Sequence, residues 1–218
     1  MRPPADWRLC LVTDRRLAAP RPLEDVVMAA VRGGVTAVQL REKECPTREF
    51  VALARRLKSS LAPLAIPLII NDRVDVALAA GADGVHVGQS DMEYRDVRRL
   101  VGPDFIVGLS VETLAHALQA SSFDADYLGV GPIFSTPTKA DAAPACGTGL
   151  LTALRARSRH VLVAIGGINR ENVRQVIDAG AAGVAVVSAI CAAPDPKAAA
   201  RELRNIIDGK IRPNAPLV

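Results

Sequence analysis

Four segments of this chain share one grammar: an apolar helical stretch closes on glycine or a small polar turn and gives way at once to a short β-rich run. They are GGVTAVQL from Gly33, GADGVHVG from Gly81, DADYLGVG from Asp124 and GAAGVAVV from Gly180. Parallel strands need a crossover of a dozen or more residues, most often a helix, and the interval between segments leaves room for about two βα units at roughly 25 residues each. The intervening units are visible. Strand-like runs lie near residues 7–13 (WRLCLVT), 35–41, 67–71 (PLIIN), 84–88 (GVHVG), 105–110 (FIVGLS), 127–131 (YLGVG), 161–166 (VLVAIG) and 183–188 (GVAVVS), eight in all. Helical patterns separate them, such as Val74, Ala77 and Leu78 ending at Gly81, or Val173, Val176 and Ile177 between an Asn169 cap and Gly180.

Eight strands alternating with about eight helices in 218 residues is the arithmetic of an α/β chain folded as a single-domain (β/α)8 TIM barrel near its minimum size. A doubly wound open sheet is the second choice. No linker divides the chain, so one domain is expected over 1–218, with a core from about 7 to 208 and a loose tail, 209–218, that carries Pro213 and Pro216.

Charge narrows the partners. Lys and Arg number 27 against 23 Asp and Glu, a net charge of +4, which favours anions. Aromatic residues are only 3% of the chain and no dense basic run could track a backbone, so small phosphorylated ligands are expected and nucleic acid is not. The N-terminal MRPPADWRLC lacks the apolar run of a signal peptide, and LAPLAIPLII is short and broken by Pro63 and Pro67. No membrane partner and a cytoplasmic location are expected. Cys10, Cys45, Cys146 and Cys191 stand far apart without a C-x-x-C pair, the spacing of free thiols and not of a zinc site.

In such a barrel the ligand site is built at the carboxyl ends of the strands. Strand two ends in VQLREKE, residues 38–44, where alternation puts Gln39, Arg41 and Lys43 on one side and turns Val38 and Leu40 toward the helices. A rim salt bridge to Glu42 or Glu44 is the ordinary use of either cation. Two cations on one face repel unless an anion sits between them, and a diphosphate is such an anion. Asn71 and Asp72 end strand three, while Gln89 and Asp91 follow strand four. Each carboxylate also fits a helix cap; together they suit Mg2+ held by one or two protein oxygens and by ligand phosphates. Ser110 ends strand five. Gly88, Gly108, Gly129 and Gly131 take the inward parity and are expected to leave room for a ligand. The stretch PIFSTPTKADAAPACGT, Pro132 to Thr148, holds Thr136, Thr138 and Lys139 with three prolines, and its length predicts a functional loop, here a lid. Gly166 and Gly167 fit a tight turn. With Val187 and Ser188 they also fit the backbone phosphate site that follows strands seven and eight. His86 is expected inside the barrel as a hydrogen-bonded core residue, with His116 and His160 on the surface.

On QLREK (39–43), NDRVDVALAAGADGVHVGQSDM (71–92), YLGVGPIFSTPTK (127–139), AIGGI (164–168) and GVAVVSAI (183–190), the chain resembles the thiamine phosphate synthase family from about residue 8 to 207. The resemblance implies a transferase. Hydroxymethylpyrimidine diphosphate and hydroxyethylthiazole phosphate would give thiamine phosphate and diphosphate, with Mg2+ as cofactor, through ionisation to a pyrimidinylmethyl cation. It implies that Gln39, Arg41, Lys43 and Asn71 hold the pyrimidine diphosphate and that Asp72 and Asp91 bind the metal. Ser110 and Lys139 would belong to the same site and, with Arg41 and Lys43, form the catalytic set. Thr136 and Thr138 would contact the thiazole partner, and Gly167, Val187 and Ser188 would receive its phosphate. The chain departs from the family pattern at Gly147–Leu151, where G-L-E-G is frequent, and at Glu93, where Pro is frequent. Two further functions fit the same barrel. A thiazole tautomerase-like relative is not expected to keep Arg41, Lys43, Asp72, Asp91 and Lys139 together, and a non-catalytic phosphate-ligand sensor has no need of paired metal carboxylates. Cys45 and Cys146 both fall at the expected mouth, where oxidation would gate it.

Overall fold

The eight β-rich runs form parallel strands because each is apolar enough to be buried on both faces. A computed structural model describes residues 5–136, 138 and 144–211, and in it the strands close in sequence order into a barrel, the last pairing with the first. They are β1 (Leu9–Val12), β2 (Ala37–Leu40), β3 (Leu68–Asn71), β4 (Gly84–Val87), β5 (Ile106–Val111), β6 (Tyr127–Val130), β7 (Val161–Ile165) and β8 (Gly183–Val186). Most are shorter than the sequence runs, because polar ends such as Arg41 leave the ladder for the loops.

The crossovers place helices around this barrel. β1 is followed by α1 (Arg15–Ala18) and α2 (Leu23–Gly33), β2 by α3 (Thr47–Leu61), β3 by α4 (Val74–Ala80), β4 by α5 (Tyr94–Val101), and β5 by α6 (Leu114–Ala120). β6 leads to α7 (Gly147–Arg155), β7 to α8 (Val173–Asp178), and β8 to α9 (Ser188–Cys191) and α10 (Pro196–Ile207). The glycine stops work as the sequence implies: Gly34 and Gly81 adopt left-handed conformations, φ 112° and 67°, and their amides donate to the last carbonyls of α2 and α4.

Two apolar layers result. Val38, Leu40, Ile70, Val107 and Leu128 point outward and pack with helical residues such as Phe50 and Leu57. The alternate residues, among them Cys10, Val12, Ala37, Ile69, Ile106, Val163 and Ala185, fill the barrel interior. Trp7, just ahead of β1, closes the amino-terminal end by lying on Tyr127 with ring centroids 4.1 Å apart.

Two helix details differ from the sequence expectation. Leu78 is 47% exposed, and the buried face of α4 is Val74, Val76, Ala77 and Ala80; one step along a helix turns about 100°, which carries Leu78 off the face that Ala77 shares with Ala80. Asn169 caps the turn before α8 through its side-chain acceptance from Glu171 N at 2.8 Å, and Asn172 holds the cap position of the helix itself. All four cysteines are free. His116 and His160 are half-buried, each bonded to a backbone group, where surface positions were expected. Among the described residues no helix is long and apolar enough to cross a membrane. The expected tail begins docked, Lys210 N donating to Asn205 O at 2.8 Å, and residues 212–218 lie outside the described residues.

Candidate active site

The cationic rim is set by a buried threonine that sequence reasoning missed. Thr13, the residue after β1, donates its amide to Gln39 O at 2.9 Å and accepts the amide of Arg41 on Oγ1 at 3.0 Å. It is fully buried, so the backbone of Arg41 is pinned just where β2 ends. Glu42 does not pair with its neighbours as the salt-bridge alternative required; its nearly buried carboxylate meets Arg15 at 3.1 Å. Lys43 Nζ donates to Asp72 Oδ2 at 2.9 Å. Among the described residues, this leaves the Arg41 guanidinium without an ion-pair partner.

Neither metal-candidate carboxylate is a helix cap. Arg73 occupies the cap position of α4 and Glu93 that of α5. Asp72 instead sits in the left-handed region at φ 64°, held there by its amide bond to His86 O at 2.8 Å. That conformation costs roughly 1–2 kcal/mol for most L-residues and is best tolerated by Asn and Asp. Asp91 Oδ2 accepts Gly88 N at 2.7 Å. Burial raises the pKa of Asp91, and the neighbouring Asp72 carboxylate raises it further by its charge and a shared hydrogen bond. A carboxyl whose ionisation is opposed by burial and by a neighbouring carboxylate is one that a divalent cation relieves. Among the described residues no third acidic, His or Cys side chain completes a cage, which fits a hard ion that keeps phosphate and water oxygens for its other positions.

The floor of the site corrects one expectation. A Cβ on Gly108 would collide with the Tyr127 ring and His86 Nδ1, and one on Gly129 would press on His86 Cε1. One on Gly131 would meet the backbone of Ile165, yet Gly88, Gly129 and Gly131 all line the cavity, Gly88 beside Asp91 Oδ2 and Ser110 Oγ, and Gly108 is the one of the four given over to packing alone. The missing side chains therefore make room for two rings and a neighbouring strand. Gly108→Ala is accordingly expected to destabilise the fold by about 1–3 kcal/mol through overpacking, measured by urea unfolding; a cost under about 0.5 kcal/mol would show that the rings move aside freely. His86 is core, as expected, 8% exposed, with Nδ1 3.0 Å from Tyr127 Oη and Nε2 2.9 Å from Ser110 Oγ. Burial lowers its pKa to about 4.

The opposite wall is built by the loop after β6. Ile133 N and Phe134 N donate to Ile165 O and Gly166 O at 2.8 and 3.0 Å, which straps the loop base along β7. Gly166 and Gly167 have φ of 101° and 63°, and Pro132, Phe134 and Ser135 fill the space their side chains would need. The pair is thus both a turn and a close packing contact. Thr138 N donates to Thr136 Oγ1 at 3.2 Å. Residues 137 and 139–143 lie outside the described residues, and with them Lys139 and the middle of the expected lid.

One cavity of about 510 Å³ gathers the candidate residues. Gln39, Arg41, Lys43, Asn71, Asp72, Asp91 and Ser110 line one half; Thr136, Thr138, Gly167, Val187 and Ser188 line the other. Val187 and Ser188 stand where α9 begins, and the opening amides of a helix have no intrahelical acceptor. Gln89 also lines the cavity and donates from Nε2 to Ser110 O at 2.6 Å. Burial raises the pKa of both Cys45 and Cys146, which leaves less thiolate and argues against an oxidative gate.

The family described as thiamine monophosphate synthase matches residues 9–190. A thiamine-phosphate synthase of Albidiferax ferrireducens is 57% identical over 201 residues, covering 92% of this chain and 92% of the relative. One from Syntrophomonas wolfei is 50% identical over 202 residues, covering 93% and 97%. Among solved structures, a thiamine phosphate pyrophosphorylase from Pyrococcus furiosus superposes with a TM-score of 0.87 at 38% identity, over 94% of this chain and 97% of that one. Phosphoribosyl anthranilate isomerase from Thermotoga maritima, at 21% identity and a TM-score of 0.68 over 93% and 99% of the two chains, shares the fold alone. A match that runs from β1 into α9 takes in every strand and both walls of the cavity, and the chain belongs to the thiamine monophosphate synthase family.

Proposed function

We propose that this member of a transferase family joins hydroxymethylpyrimidine diphosphate to hydroxyethylthiazole phosphate, giving thiamine phosphate and diphosphate. The observation that carries this reading is the Arg41 guanidinium, unpaired among the described residues, beside a lysine and the neighbouring carboxylates of Asp72 and Asp91 on one rim. A diphosphate is the ligand whose charge fits the cations. Asp72 and Asp91 would hold Mg2+, which when bound supplies charge neutralisation for the phosphate oxygens.

Gln39, Arg41, Lys43 and Asn71 take the pyrimidine diphosphate. As its C–O bond breaks, negative charge grows on the departing oxygen, and Arg41, its backbone held by Thr13, and Lys43, held by Asp72, favour that charge more than they favour the intact substrate. Ser110 lines the same half of the site, and the family resemblance assigns Lys139, outside the described residues, to the same catalytic set. Thr136 and Thr138 face the thiazole, whose phosphate meets Gly167, Val187 and Ser188. The thiazole nitrogen captures the pyrimidinylmethyl cation, so no nucleophilic side chain is needed. The loop after β6 keeps water from trapping the cation as the alcohol.

Diphosphate release tests this directly. With both substrates and Mg2+, one diphosphate is expected for each thiamine phosphate, and none when either substrate is withheld. Binding without release would mark a sensor. Chemistry on the thiazole phosphate alone would mark a tautomerase.

A further inference from the structure

Across the barrel floor, Gln39 Nε2 donates to Tyr127 Oη at 3.4 Å, Tyr127 Oη meets His86 Nδ1 at 3.0 Å, and His86 Nε2 meets Ser110 Oγ at 2.9 Å. These groups come from β2, β6, β4 and β5, and only Ser110 is more than slightly exposed. We propose that Gln39, Tyr127 and His86 form a one-way hydrogen-bond chain that turns the Ser110 hydroxyl hydrogen into the cavity, toward an oxygen of the phosphorylated ligand. Tyr127 and His86 are then positioning residues, and the proposal rests on reading Ser110 as a ligand contact.

The direction follows from hydrogen counting. A phenol carries one hydrogen and accepts others. With the Gln39 amide donating to Oη, the phenolic hydrogen is left for His86 Nδ1, which therefore carries none. The imidazole hydrogen sits on Nε2 and points at Ser110 Oγ. The serine oxygen, accepting there, has its own hydrogen free for the cavity. A charged ring would still donate from Nε2, so the outcome at Ser110 does not depend on the histidine's protonation. The reverse chain, with Ser110 donating to His86, would show a phosphate oxygen only lone pairs beside the Asp91 carboxylate. Packing keeps the chain in line: Tyr127 is clamped between Trp7 and the stacked His86 ring, in the space left by Gly108 and Gly129.

The ligand-free full chain, labelled with 15N-histidine and observed at neutral pH by two-bond proton–nitrogen correlation, should show His86 as the Nε2–H tautomer, its signals assigned by their loss in His86→Asn. An Nδ1–H tautomer overturns the proposal whatever the enzyme binds. Tyr127→Phe is expected to abolish that preference and to lower kcat about tenfold, as losing one well-placed hydrogen bond does, with KM for the pyrimidine diphosphate changed less than about twofold. In a Ser110→Ala background the same change should cost nothing more, because Tyr127 acts through Ser110; two losses that multiply would show an unrelated structural role. If Tyr127→Phe does not fold, the wild-type tautomer still decides. If the wild type releases no diphosphate, the functional reading fails and the tautomer again decides the chain.

Discussion

Asp91→Asn is expected to lower turnover at least about 10²-fold, the usual consequence of losing a main electrostatic stabiliser, while the fold stands. Asparagine is the informative replacement because its carbonyl can still accept the Gly88 amide that Asp91 Oδ2 accepts at 2.7 Å. The turn after β4 is kept and only the charge is removed. Burial and the nearby Asp72 hold the pKa of Asp91 above its ordinary value. An acid whose pKa is raised by folding favours the folded state below that pKa and opposes it above, so at neutral pH the Asp91 charge works against stability. Thermal denaturation should therefore show a midpoint no lower than wild type, alongside a steeply higher Mg2+ requirement in the diphosphate assay. Turnover within a few-fold of wild type at the same Mg2+ would remove Asp91 from the metal site.

That separation of charge from scaffold shows what could be read in the residues and what could not. Strand parity was legible for Gln39, because a period of two leaves it no choice of side once β2 is recognised, whereas Arg41 and Lys43 lie past the end of β2 at Leu40 and reach the cavity from the loop. The rim was legible too, since a closed barrel brings all its strand ends to one mouth. Pairing across the barrel was hidden. Gln39 and Tyr127 are 88 positions apart, and no local pattern says that the phenol of β6 fills the space of Gly108 on β5 or that His86 of β4 fills that of Gly129. The glycine expectation held only in part for that reason, since Gly88, Gly129 and Gly131 border the cavity while Gly108 makes room for the two rings: composition shows where side chains are missing, and closure decides what fills the gap. Asp72 shows a second limit. Asp ahead of a helix reads as a cap, yet the carboxylate is turned to Lys43 by a left-handed backbone angle, and torsion is not written in residue type. Thr13 left one faint signal, a hydroxyl directly after an apolar strand.

The same pinning by Thr13 makes Arg41 the cleanest probe of the leaving group. Lys43 is a poor one, since removing it strands the Asp72 carboxylate that it meets at 2.9 Å, and any loss of rate would mix two causes. Arg41 has no such partner among the described residues. Its backbone is held by the Thr13 hydroxyl whatever side chain follows. Arg41→Met keeps the length of the apolar stem and removes the guanidinium, and stability is expected to stay within about 0.5 kcal/mol of wild type. The rate should fall far more. A fixed cation that holds the diphosphate and meets still more charge as the C–O bond breaks is worth about 10²–10³-fold in kcat, and kcat/KM should fall at least as far, because the interaction begins in the bound substrate and strengthens in the transition state. Arg41→Lys should recover only part of the loss, since an ammonium restores the charge without the two-pronged fork that matches phosphate oxygens. Single-turnover diphosphate release measures the step in isolation. If Arg41→Met releases diphosphate at the wild-type rate, the guanidinium does not meet the departing group, and the anion has to be placed elsewhere on the rim.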